Sequence, residues 1–406
     1  MTVSKATPVS PPRSLNHAQT LTLTCHQCGA SYTRPTLAPD QWAQCVRCNS
    51  VLESYGTFTP MAWLAIILTA MICMGFANAY PVMTLFLQGQ GQAATFFDSV
   101  AVVWREGYPE VAIATFAAGF LLPVIHLCLL FWVLLPLSFG RLPLFFESVI
   151  HIIDHLKPWC MVPVFFLGIL VAAVKLAGAA SLVVGIGLFA TACAALLITS
   201  LGRLSERKLR LMALDLDVPA QPPEIPNPPS PQQISRVWAL LLAAAIMYIP
   251  ANFLPIMHIT SVGGPSGHTI VGGVIELYQL GSWDIALVVF VASVLVPVFK
   301  LIALSTLVAL TQFGAARGLK SRTQLYRVVE FIGQWSMLDV FVVILLSALG
   351  QFGALLSIQP GSGAIAFGAV VILTMLAALS FDPRLAWRRA GHRRHVSSSI
   401  DISNHG

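Results

Sequence analysis

The chain has 406 residues, of which 56% are hydrophobic and only 10% charged, and its mean hydropathy is +0.78. A soluble domain carries about 25% charged residues, so these figures exclude an ordinary soluble protein and specify an all-α polytopic membrane protein. The net charge of +6 is dispersed between apolar runs rather than gathered on one folded face, which excludes nucleic acid as a partner.

Residues 1–20 are polar and are expected to be disordered; they lack the apolar stretch of a secretory signal. Residues 21–56 contain Cys25-x2-Cys28, sixteen further residues, then Cys45-x2-Cys48. Two such knuckles bring four thiolates into a tetrahedron around one zinc ion, and Gly29 permits the tight turn of the first. A module this short cannot bury a sufficient core, so the metal is expected to fold it. With four protein ligands no open position is left for hydrolysis; a redox or iron role is the alternative use of the same site. Cys73, Cys128, Cys160 and Cys193 stand singly in apolar runs and read as packing residues.

A helix crosses the hydrocarbon with about 20 residues. Eight spans are predicted, at 61–80, 109–138, 159–176, 182–201, 236–257, 284–312, 331–350 and 364–380. Of the 23 Lys and Arg, Arg105 falls in an external loop and Lys175 and Lys300 in spans; the other 20 flank the spans on one side. By the positive-inside rule both termini are cytoplasmic. The stretch 144–156 puts Phe145, Val149, Ile152, Ile153 and Leu156 on one helical face. It reads either as an interfacial helix or as a cytoplasmic extension of the third span.

The spans fall into two copies of one unit. "ANAYPVM" (77–83) returns as "ANFLPIM" (251–257), so Asn78 and Pro81 align with Asn252 and Pro255 at an offset of 174. The same offset puts Gly107 on Gly281 and "LLPVIHL" (121–127) on "LVPVFKL" (295–301). After a two-residue gain, "PWCMVPVF" (158–165) meets "QWSMLDVF" (334–341). Four spans per copy is an even number, so the two repeats, 57–210 and 235–390, are parallel. Between them 211–234 includes "DVPAQPPEIPNPPSPQQ", a semi-rigid cytoplasmic linker, and 391–406 form a polar tail. The loops 84–108 and 258–283 each begin with alternating residues and a Gly-rich turn, which predicts a small external hairpin on each unit.

Lys300 and Asp339 lie near the middles of spans six and seven. A lone charge there costs about 2.5–3.5 kcal/mol even on the mildest scale, so the two are expected to pair. The first copy has His126 and Pro163 instead. Asn78, Pro81, Asn252 and Pro255 sit at external helix ends; they either line a cavity or simply end a helix. There is no phosphate-loop, H-E-x-x-H or G-x-S-x-G motif, so an enzyme is not expected.

A cysteine ribbon followed by a duplicated unit carrying N-x-x-P-[VI]-M, a Pro-Val pair near a basic residue and W-x-M-x-[DE]-V-[FY] resembles the paraquat-inducible protein A family, over about residues 21–385. The resemblance implies an inner-membrane subunit of double-membraned bacteria. It implies as partners lipid and a periplasmic MCE-domain protein that forms a tunnel, and as activity the movement of lipid between bilayer and tunnel. Lys300, Asp339, His126, Asn78, Pro81, Asn252 and Pro255 are then candidates for the lipid path or its gate. Two departures mark this chain: the second ribbon is missing, and Pro163 takes the acidic position of the first copy. A membrane-bound redox or stress-response protein and a small-molecule secondary transporter are the alternative functions.

Overall fold

In the computed structural model, residues 22–35, 37, 41–54, 58–87, 90–177, 181–216, 232–261, 264–279, 283–313, 318–335, 338–349 and 356–391 are described. The predicted disordered start, the centre of the linker and the tail lie outside them. The described chain is mostly helical, and its architecture begins with two small hairpins. β1 (Thr22–Thr24) pairs with β2 (Ser31–Thr33), and β3 (Trp42–Gln44) with β4 (Val51–Ser54), each around one Cys-x-x-Cys turn.

The apolar part opens with α1 (Pro60–Ala79). Thr59 caps it by accepting the Ala62 N–H at 3.3 Å, and Pro60 occupies the first turn, where no N–H is missed. Then come β5 (Met83–Leu87), β6 (Gln90–Ala94), α2 (Phe96–Arg105) and α3 (Pro109–Phe116). Five π-helical residues (Ala117–Leu121) lead into α4 (Leu122–Ser138), followed by α5 (Phe146–Leu156), α6 (Val162–Ala177), β7 (Ser181–Val184), α7 (Ile186–Leu201) and α8 (Glu206–Asp215). The π turn stands immediately before Pro123. Proline has no N–H for the preceding turn and its ring crowds the carbonyl four residues back, so a widened turn relieves both problems.

After the linker the same order of elements recurs: α9 (Gln232–Phe253), β8 (Met257–Ser261), β9 (Gly264–His268), α10 (Ile270–Gln279), α11 (Trp283–Phe290), a π segment (Val291–Leu295), α12 (Val296–Gln312), α13 (Leu319–Trp335), α14 (Leu338–Leu349), β10 (Leu356–Pro360), α15 (Ser362–Ser380) and α16 (Arg384–Gly391). The second π segment precedes Pro297 as the first precedes Pro123. Both predicted hairpins gain a third strand that the sequence reading did not include. β5 is flanked by β6 and β7, and β8 by β9 and β10, all antiparallel, with Met83 opposite Val184 and Met257 opposite Pro360.

Among the described residues six helices are long and apolar enough to cross a membrane: Pro60–Ala79, Pro109–Ser138, Phe146–Ala173, Gln232–Phe253, Ser293–Gln312 and Ser362–Arg388. A seventh is reached if Ile186–Leu201 and Glu206–Asp215, bent by 66°, form one broken span. Two of the eight expected spans are therefore shorter than predicted. The fourth gives its first residues to β7. The seventh is split, with its second piece, α14, only 12 residues long. The stretch 144–156 contains α5, which is followed by a 3-10 turn at Lys157–Trp159 and two non-helical residues, Cys160 and Met161, before α6; taken together, Phe146–Ala173 is long and apolar enough to cross a membrane.

Packing joins the two halves along their helices and at the end that carries the two sheets. α14 lies against α6, α2 and α3, and one buried cluster includes Phe96, Phe165, Ile169, Phe341, Ile344, Phe367 and both Met83 and Ile256. At the other end each half has its own core. One is built from α1, α4, α5, α7 and α8 around Leu130, Ile150 and Leu209, the other from α9, α12, α13, α15 and α16 around Leu304, Val329 and Leu385.

Candidate functional site

The four predicted ligands meet. Cys25, Cys28, Cys45 and Cys48 are buried, each with its thiol free of a disulfide, and their sulfurs all lie within 4.8 Å of one another. Cys25 Sγ stands 3.5 Å from Cys48 Sγ, and Cys28 Sγ 3.5 Å from Cys45 Sγ. A tetrahedral ion with metal–sulfur bonds of about 2.3 Å needs sulfurs roughly 3.8 Å apart, so the cluster fits one metal ion. The knuckles are built alike: Cys25 N–H donates to Ala30 O and Gly29 N–H to Cys25 O, while Cys45 N–H donates to Ser50 O and Asn49 N–H to Cys45 O. Gly29 takes φ +71° as its motif predicts, and Asn49 takes φ +58° at the matching place, a left-handed conformation that Asn tolerates better than most residues.

Three residues of this site were not read from the sequence. Ser50 Oγ is 3.0 Å from both Cys25 Sγ and Cys48 Sγ, and Tyr32 OH is 3.2 Å from Cys45 Sγ. Such hydroxyls orient and stabilise thiolates from outside the ligand shell. Trp387, from α16 far along the chain, closes the cysteine cluster. Within the cluster the hydrogen bond with Cys28 pulls the Cys25 thiol below its ordinary range against the opposing effect of burial.

In the membrane part Lys300 is completely buried on α12, and its Nζ donates to Thr374 Oγ1 on α15 at 2.9 Å. Thr374 Oγ1 in turn donates to Val371 O at 3.0 Å. Thr374 had no signal in the sequence beyond being a hydroxyl in an apolar run. Asp339 lies in the first turn of α14, but its side chain is outside the described residues, and so is its expected pair with Lys300. His126, at the place corresponding to Lys300, is buried on α4, and its Nδ1 has no partner among the described residues. Cys73 and Cys193, read as singletons, are free thiols on the packed helices α1 and α7.

Asn78 and Asn252 do the same local work. Each donates its amide to the carbonyl four residues earlier, Met74 O at 2.7 Å and Tyr248 O at 2.8 Å. Pro81 and Pro255 lie just past the ends of α1 and α9 and do not break them. Their carbonyls accept the N–H of Gly187 at 3.1 Å and of Gly363 at 3.0 Å. The paired glycines "GIG" (185–187) and "GSG" (361–363) are thus the partners of the N-x-x-P motif, which sequence reading missed.

The profile of the family described as Paraquat-inducible protein A matches this chain twice, at residues 61–210 and 234–391. The chain is 31% identical to the "Intermembrane transport protein PqiA" of Escherichia coli (strain K12), over 92% of this chain and 97% of that protein. It is 30% identical to the "Probable intermembrane transport protein" of Haemophilus influenzae, over 90% of this chain and 95% of that protein. With the "Lipophilic envelope-spanning tunnel protein A" of Escherichia coli (strain K12) it shares 30% identity over 89% of this chain and 90% of the relative. No solved structure matches. A doubled profile match, aligned on the two sets of apolar helices just described, places this membrane protein in the paraquat-inducible protein A family.

Proposed function

We propose that the chain is the inner-membrane subunit of a lipid-transport system and passes lipid between that membrane and a periplasmic MCE-domain tunnel. The supporting observation is end-to-end similarity, over about nine-tenths of the chain, to proteins named for intermembrane transport and for an envelope-spanning tunnel. It acts as a transport subunit and not as an enzyme. The architecture is two tandem parallel four-span repeats with both termini cytoplasmic, α7 and α14 serving as the short fourth and seventh spans; the recurring element order and the equal sheet registers support this. The four cysteines hold one structural zinc, in keeping with four sulfur ligands, no open position and a reducing compartment.

Lys300 lines or gates the lipid path, together with Asp339 and, in the first repeat, His126. A buried ammonium hydrogen-bonded to a neighbouring helix is expensive to keep in a membrane and is retained where it binds a headgroup or a proton. Purification from the native host in mild detergent, with mass spectrometry of proteins and lipids, tests the reading. An MCE-domain protein and phospholipid enriched over a control membrane protein support it. Absence of both, after cross-linking, counts against it, and iron in place of zinc favours the redox alternative. Lys300→Ala and Asp339→Ala should each abolish complementation at normal protein levels; if both complement fully, the gate is wrong.

A further inference from the structure

We propose that the four-cysteine module is a metal-dependent strap that fastens the cytoplasmic ends of the two transmembrane halves to each other. This goes beyond the transport reading and does not depend on what is carried.

The argument begins with where the halves touch. Their shared core is formed by α14 against α6, α2 and α3, and Gly168 of α6 faces Leu338 and Phe341 at the start of α14. That contact runs from Phe165, in the first turn of α6, through Gly168. Towards the cytoplasmic side the two cores are separate. Here the cysteine module reaches both.

To the first half it is tied by Arg34. The Nη1 and Nη2 of Arg34 donate to both carboxylate oxygens of Asp215, the last residue of α8, at 2.7 and 2.9 Å. The same guanidinium is held inside the module by Glu53, with Nη2 to Oε1 at 2.7 Å and Nε to Oε1 at 3.2 Å. A two-sided, bidentate arginine has one orientation to adopt, so it loses little freedom on docking.

To the second half the module is tied at the knuckles. Trp387 of α16 is only 7% exposed and packs in the cysteine cluster, with Leu319 of α13 against its edge. The Arg47 guanidinium sits 4.7 Å from the centre of the Trp387 ring, and Trp387 Nε1 donates to Thr323 Oγ1 of α13 at 3.1 Å. Arg327 Nη2 donates to the carbonyl oxygen of Cys48 itself, at 3.4 Å. The docking atoms are therefore on the metal-binding turns.

The module has little else to hold its shape. Its described strands are three or four residues long, and its buried apolar residues are Leu23 and the four cysteines. Folding of such a unit depends on its metal. Losing the ion would unmake the knuckle that receives Trp387 and Arg327 and release the frame that holds Arg34. One ligand set then controls contacts to both halves.

The test uses the full-length protein in nanodiscs, with metal content and amide hydrogen exchange read side by side. Stripping zinc with a chelator should speed exchange several-fold in both Glu206–Asp215 and Arg384–Gly391, while the α6 and α14 segments keep their protection; adding zinc back should reverse it. Asp215→Ala, which leaves the Arg34–Glu53 pair in place, should speed exchange in α8 alone and keep one zinc per chain. Chelation that leaves both α8 and α16 unchanged overturns the strap, because the module is then an independent appendage. Faster exchange throughout the chain overturns it too, because the metal would then support the whole fold.

Discussion

Gly187 and Gly363 carry hydrogen where nothing larger fits. A Cβ on Gly187 would stand 2.7 Å from Pro81 O, and one on Gly363 would stand 2.8 Å from Pro255 O. These are backbone atoms at the ends of α1 and α9, held by the very hydrogen bonds that the two glycines donate, so they cannot swing aside. Gly187→Ala or Gly363→Ala should destabilise the protein by about 1–3 kcal/mol, the usual range for forced overpacking, seen as a lower melting temperature in detergent. Gly75→Ala is the matched control, since its Cβ would meet nothing within 4 Å; a helix-interior glycine replaced by alanine gains rather than loses stability. If all three variants melt alike, the close approach is not a constraint. The glycine pairs illustrate how far a sequence can be read. The N-x-x-P motif is visible because it occurs twice on an apolar background. Its glycine partners are not, because the reason for them is a backbone that comes from another span. The cysteines lie at the opposite extreme: their spacing alone names the ligands, yet not Ser50, Tyr32 or Trp387 around them.

At the scale of the element, the helix ends decide between two uses of Asn78 and Asn252. Both amides are spent on the carbonyl four residues back in their own helix. That is local back-bonding within the helix. Side-chain hydrogen bonds in membranes are worth about 0.6 kcal/mol on average, so Asn78→Ala and Asn252→Ala should each cost about that much in unfolding experiments and leave complementation intact. Loss of complementation at normal protein level would instead make these residues part of the lipid path. Apolar length and proline position made most spans legible. The seventh was misjudged for a physical reason. Its 12-residue helix α14 is enclosed by neighbouring helices, with Val340 to Ala348 almost entirely buried, and an enclosed helix need not match the bilayer in length as a lipid-facing one must. β7 escaped notice because it reads, by composition, as the beginning of the predicted span 182–201, and β10 because it falls in the connection between the predicted spans 331–350 and 364–380. The π segments before Pro123 and Pro297 have no signal of their own in the sequence; only their proline does.

At the scale of the molecule, the question is what holds one half on the other within the membrane. Phe341 of α14 is fully buried at that junction, its ring 5.4 Å from the Phe165 ring of α6 in an edge-on arrangement, and a Cβ added to Gly168 would stand 3.1 Å from the Phe341 Cβ. Phe165 packs in the same manner on Phe96 of α2, 5.1 Å away, and Gly119 is bare where the Phe96 ring passes. Three aromatic rings and two glycines from four separate segments thus form one interlocked joint. In water, Phe→Ala in such a place costs about 3–5 kcal/mol, part of it the hydrophobic transfer of the ring. Within a bilayer the transfer part is largely absent, since lipid tails are as apolar as the core, and what remains is lost packing. Phe341→Ala should therefore destabilise by less than that range, and the loss should be local: faster exchange in α14, α6 and α2, while the first-half core around Leu130 and Ile150 keeps its protection. Phe341→Leu should recover part of the loss by filling part of the space. A cooperative collapse of the cores around Leu130 and Leu304 in Phe341→Ala would mean that the halves fold as one unit. The joint would then be a foundation for the whole chain rather than a contact between two separately built bodies, and relative movement of the halves during transport would have to be sought elsewhere.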